Sequence, residues 1–125
     1  MIKSLFSHYQ MPFRMVFVLY GFLVVWASLK QGGGPQPIEH FDKLMHFTFY
    51  GLFTVIAAGC TQQRKMFIGL SLLIIGYGAL MEILQSYVPS RHMSLADIAA
   101  NALGVITAMI LLLRFFRDNN SQITT

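Results

Sequence analysis

The chain has 125 residues, of which 55% are hydrophobic and only 11% charged, less than half the roughly 25% charged content of a soluble domain. So few polar residues cannot solvate the outside of a protein this small, which excludes the water-soluble classes and requires lipid around much of the surface. The net charge of +4 is scattered between apolar runs and the single cysteine is Cys60, which excludes a nucleic-acid partner, an intrachain disulfide and a cysteine metal cluster.

The first apolar run covers about 12–29, with Arg14 near its start and Trp26 near its end as an interfacial anchor. Bulky Val25, Trp26 and Leu29 make a poor cleavage site, so the run reads as a membrane span and not as a signal peptide. The glycine–proline stretch at 32–37 sustains neither helix nor strand and reads as a loop. A second run at about 44–60 is near the ~17-residue lower limit for a span, and its polar interruptions are His46, Thr48, Tyr50 and Thr54. After a polar turn at 61–65, a third run covers about 66–88 and stops at Pro89. The fourth covers about 94–116, with Ser94 as cap and Asp97 three residues on, as in a capping box.

In hydrocarbon every backbone amide needs a partner, so spans of this length are helices. The expectation is an all-α integral membrane four-helix bundle, one domain over 1–125. Placing both termini inside puts Lys3, Arg14, Arg64, Lys65, Arg114 and Arg117 on the cytoplasmic side, against Lys30, Lys43 and Arg91 outside. That orientation, N-in/C-in, brings the start of helix 2, the end of helix 3 and the start of helix 4 to the outer face.

The polar residues of those ends share helix faces. Asp42, His46 and Tyr50 are four apart, as are Asp97 and Asn101, while Glu82 and Gln85 are three apart. Glu82 and Asn101 lie on the order of 10 Å inside their helix ends, too deep for short side chains to reach the headgroups. An ionised Glu82 facing lipid costs several kcal/mol, so it must face the bundle, take a proton or pair with Arg91, Lys43 or His46. Ala96, Ala100, Gly104 and Ala108 form a small-residue ridge on helix 4 that admits a close neighbour.

The series Asp42-Lys43-x-x-His46-x-x-x-Tyr50, Glu82-x-x-Gln85 with Pro89 and Arg91, and Ser94-x-x-Asp97-x-x-x-Asn101-x-x-Gly104 resembles the VanZ-like family of small bacterial membrane proteins, over about 41–104. The resemblance implies a four-helix protein of the bacterial inner membrane. Some relatives are associated with resistance to the glycopeptide antibiotic teicoplanin, but the resemblance assigns no catalytic roles.

Two uses of these residues compete. In the first, a pocket opens to the outer leaflet and takes an anionic ligand, a lipid phosphate or a lipid-linked envelope intermediate. Arg91, Lys43 and His46 would neutralise phosphate oxygens, Glu82, His46 and Asp97 would carry any acid–base chemistry, and Asp42, Tyr50, Gln85 and Asn101 would complete the binding set. In the second, the chain is a non-enzymatic accessory or scaffold protein, and the polar network, a Glu82–Arg91 pair included, only holds the helices. Proton transport is a weaker third use, because no polar row continues into the cytoplasmic half. Glu39, His40 and His92 lack a tight ligand spacing with His46, so the sequence assigns neither metal nor cofactor.

Overall fold

The computed structural model describes residues 2–30, 40–89 and 91–119; the loop expected at 32–37, Glu39 and the end of the polar tail lie outside the described residues. Four α-helices follow one another: α1 Ile2–Leu29, α2 Phe41–Gly59, α3 Arg64–Gln85 and α4 Leu95–Leu113, with a 3₁₀ segment at Arg114–Asn119. They form an all-α four-helix bundle.

Helix ends depart from the apolar runs for identifiable reasons. α1 begins well before its apolar run and passes through Pro12, because Lys3, Ser4, Ser7, His8 and Gln10 interrupt the apolarity there without interrupting the helix. α3 ends earlier than its run. Ser86, Tyr87 and Val88 donate their backbone N–H groups three residues back, to Ile83, Leu84 and Gln85 at 3.2, 3.2 and 3.0 Å, tightening the chain ahead of Pro89.

The helices alternate in direction. The middle of α1 lies beside the end of α2, where Arg14 Nε donates to the Cys60 carbonyl at 3.1 Å and a Cβ on Gly59 would collide with the Phe13 ring. Farther along, Tyr20 Oη donates to the Phe49 carbonyl at 2.7 Å. The start of α3 meets the 3₁₀ segment that follows α4 through Phe67 and Phe116, stacked with centroids 4.8 Å apart. α2 and α4 run the same way and touch backbone to backbone. A Cβ on Gly104 would strike the Phe47 carbonyl, and one on Gly51 would sit 3.4 Å from the Gly104 carbonyl. Of the small-residue ridge, Gly104 makes this contact while Ala96 is exposed, so the approach depends on one glycine more than on the whole row.

Among the described residues, three helical stretches, His8–Leu29, Arg64–Gln85 and Leu95–Phe116, are long and apolar enough to cross a membrane. α2 is not among them, since Asp42, Lys43 and His46 occupy its first turns. Its neighbours shield it instead: Phe17 and Tyr20 of α1 pack at a tilt on Phe53 with centroids 4.8 and 5.1 Å away, Gly78 of α3 lies against Tyr50, and Gly104 of α4 lies against Phe47. The most polar helix is the one least given to lipid.

The core gathers Val24, Tyr50, Phe53, Ala57, Phe67, Ile74, Met81 and Val105. The buried hydroxyls of Thr54 and Ser71 are satisfied within their own helices, Thr54 by the Tyr50 carbonyl at 3.0 Å and Ser71 by the Phe67 carbonyl at 2.9 Å. Cys60 behaves as a small buried packing residue whose thiol donates to the Ile56 carbonyl. Outward faces carry Leu19, Phe22, Leu72, Leu73, Ile110 and Leu111 exposed, the surface expected against acyl chains. Lys30 Nζ lies 4.9 Å over the Trp26 ring at the end of α1.

Candidate functional site

The backbone contact of α2 with α4 sets the relative height of their polar residues. With Phe47 seated on Gly104, His46 faces both Asp97 and Asn101, one and two turns into α4. His46 Nδ1 donates to Asn101 Oδ1 at 2.8 Å, and its Nε2 lies 3.7 Å from Asp97 Oδ2. α3 brings Glu82 to the same ring, with Oε1 3.7 Å from His46 Nδ1. Gly78, one turn before Glu82, makes room: a Cβ there would be 2.9 Å from the Tyr50 ring and 3.1 Å from Asn101 Nδ2.

Glu82 also shapes the start of α4. A full capping box would have the Asp97 carboxylate accept the Ser94 N–H. In the structure only half of the box forms, Asp97 N donating to Ser94 Oγ at 3.2 Å, while Ser94 N donates to Glu82 Oε2 at 3.3 Å. The substitution leaves the Asp97 carboxylate available to His46 and to Lys43, whose Nζ is 3.6 Å from Oδ1.

The result is a buried cluster of charged and polar groups drawn from three helices. Glu82 is 1% exposed, Asn101 1% and Asp97 8%. Lys43, at the rim, bonds Asp42 Oδ2 at 3.1 Å. Several buried polar atoms have no hydrogen-bond partner, namely Tyr50 Oη, Glu82 Oε1, Arg91 Nε, Asp97 Oδ1 and Asn101 Nδ2. Such atoms are costly in a low-dielectric interior.

Beside this cluster lies a cavity of about 120 Å³, walled by Ser28, Met45, His46, Tyr50, Gln85 and Arg91 among others. The cluster thus holds His46, Glu82, Asp97, Asn101 and Lys43, while Tyr50, Gln85 and Arg91 line the cavity and Asp42 stays at the edge. Of the three cations open to Glu82, His46 is the one beside it, together with the Ser94 amide, while the Glu82–Arg91 pair of the scaffold reading does not occur among the described residues. Ser28 of α1 and the amide of Ser94 escape sequence reasoning. Neither stands out beside charged residues, and a backbone N–H leaves no trace in side-chain spacing. His92 is exposed, apart from the cluster.

No curated protein and no solved structure matches the chain. The VanZ/LLP1 family model, in contrast, matches residues 2–117, so the match takes in all four helices as well as the cluster. This is a multi-pass protein of the bacterial inner membrane with a buried polar cluster, and the chain belongs to the VanZ/LLP1 family.

Proposed function

We propose that the cluster and its cavity bind an anionic lipid headgroup, a phosphate-bearing lipid or cell-envelope intermediate, at the extracytoplasmic face. The observation that carries this reading is Arg91, whose buried Nε has no partner while the residue lines the cavity next to His46. A guanidinium held this way offers directed N–H donors to a phosphate oxygen. Lys43 adds a second cation at the rim, and Tyr50, Gln85, Asn101 and Asp42 supply the remaining polar contacts.

α2 is the fourth crossing in this arrangement. The excess of lysine and arginine at the other end of the bundle supports an orientation with both termini in the cytoplasm, in which the cavity opens beneath the outer headgroups. Glu82, His46 and Asp97 are the acid–base candidates: His46 can exchange a proton with the ligand while Asn101 holds its ring and the carboxylates flank it.

A scaffold role has its own support in the Ser94–Glu82 bond, which ties α4 to α3. Binding of phosphatidylglycerol and of a polyprenyl phosphate to purified protein, followed by native mass spectrometry, separates the two. Arg91→Ala is expected to weaken retention of either lipid by roughly tenfold or more, the size of a lost charge-assisted hydrogen bond of about 1.5–3 kcal/mol, with the melting temperature unchanged. Equal retention by wild type, Arg91→Ala and Glu82→Gln would overturn the binding reading; loss of fold in Glu82→Gln with lipid retention intact in Arg91→Ala would favour the scaffold.

A further inference from the structure

Glu82 and Asp97 approach the same imidazole from different helices, and neither is sealed by it. Both carboxylate-to-ring separations are 3.7 Å, beyond hydrogen-bond length. Glu82 Oε1 and Asp97 Oδ1 are left with no hydrogen-bond partner in residues more than nine-tenths buried. Two carboxylates sharing a dry site repel each other, and some positive charge between them is needed to hold them there.

We propose that His46, Glu82 and Asp97 form a binding site for one divalent cation. One donor atom from each residue lies within 4.8 Å of the others. Donors about 2.0–2.2 Å from a common ion stand somewhat closer together than that, a contraction that side-chain torsions supply. Each donor is already oriented by a neighbour. The Ser94 amide holds Glu82 through Oε2 and leaves Oε1 free, and the Asn101 carbonyl oxygen accepts from His46 Nδ1, which directs the lone pair of Nε2 towards Asp97. Lys43, the cation nearest Asp97, already has a shorter contact with Asp42 at 3.1 Å, so an incoming ion displaces little.

One imidazole nitrogen with two carboxylates is a donor set suited to Mn²⁺ or Zn²⁺ more than to ions that prefer oxygen alone. The site goes beyond the headgroup reading and does not depend on it. Nothing in the spacing of 46, 82 and 97 advertises it, because each ligand comes from a separate helix.

The experiment uses full-length protein in detergent, stripped with EDTA, freed of chelator and titrated with Mn²⁺ in the absence of added lipid, with electron paramagnetic resonance as the readout. The expected result is one saturable Mn²⁺ per chain whose spin echo carries nitrogen modulation from an imidazole. His46→Gln removes that modulation, and Glu82→Gln or Asp97→Asn weakens uptake by roughly tenfold or more. Absence of saturable uptake by the wild type overturns the proposal, as does uptake without nitrogen modulation. The wild-type spectrum decides even where a variant does not fold. Failure of lipid binding in the separate retention experiment leaves the Mn²⁺ result untouched, and the converse holds equally.

Discussion

Gly104→Val is expected to prevent assembly of the bundle, with a loss of about 3 kcal/mol or more, at or above the upper end of ordinary overpacking. The reason is what the new side chain would meet. Its Cβ would strike the Phe47 carbonyl and lie 3.0–3.1 Å from the Phe47 carbonyl carbon and Cα, all backbone, so no rotamer change relieves it. α2 and α4 would have to separate, drawing His46 away from Asn101 and Asp97. Gly69 and Gly76 provide the internal comparison, since a Cβ on either has nothing within 4 Å. Gly69→Ala and Gly76→Ala are expected to be neutral or to gain up to about 1 kcal/mol from helix propensity. Thermal unfolding in detergent, read by size-exclusion profile after heating, checks the three variants. A Gly104→Val protein melting with the wild type would show that the two helices do not need this contact.

His46→Leu in EDTA is expected to destabilise the bundle by about 3–5 kcal/mol, the usual consequence of removing one partner from a buried charged group. Leucine fills much of the ring's space but leaves Glu82 Oε1 and Asp97 Oδ2 facing an apolar side chain, where His46 now stands 3.7 Å from each. The Asn101 oxygen loses its 2.8 Å bond as well. A companion substitution tests the cause: His46→Leu with Glu82→Leu is expected to recover part of the loss, because one buried carboxylate goes with it. Strict additivity of the two single changes would mean that ring and acid do not interact, and a wild-type melting temperature for His46→Leu would mean that the ring holds nothing.

Helix count and helix faces were legible because both follow from periodicity along one chain. Residues four apart share a face, so Asp42, His46 and Tyr50 could be read as one edge of α2 and Asp97 with Asn101 as one edge of α4. What periodicity leaves open is the axial height of one helix against another. That height is set by Phe47 on Gly104, a contact between an unremarkable phenylalanine carbonyl and one glycine. It decides that His46 and not Arg91 stands beside Glu82. The capping box misled for a related reason: Ser94 and Asp97 have the right spacing, but the reciprocal bond goes to Glu82, twelve residues upstream. Helix limits blurred wherever polarity and helicity part company, as at the start of α1, where Ile2–Leu29 is one continuous helix although the apolar run begins only at about 12.

The shielding of α2 by its three neighbours bears on how such a chain is made. A segment that opens with Asp42, Lys43 and His46 has weak drive to partition from the translocon into bilayer by itself, and α3 and α4 follow it in the chain. Its residence in the membrane therefore waits on later partners: Gly78 on α3 and Gly104 on α4 must emerge before Tyr50 and Phe47 gain the surfaces they rest on. Truncation after α2 would strand its acidic and basic first turn without those companions.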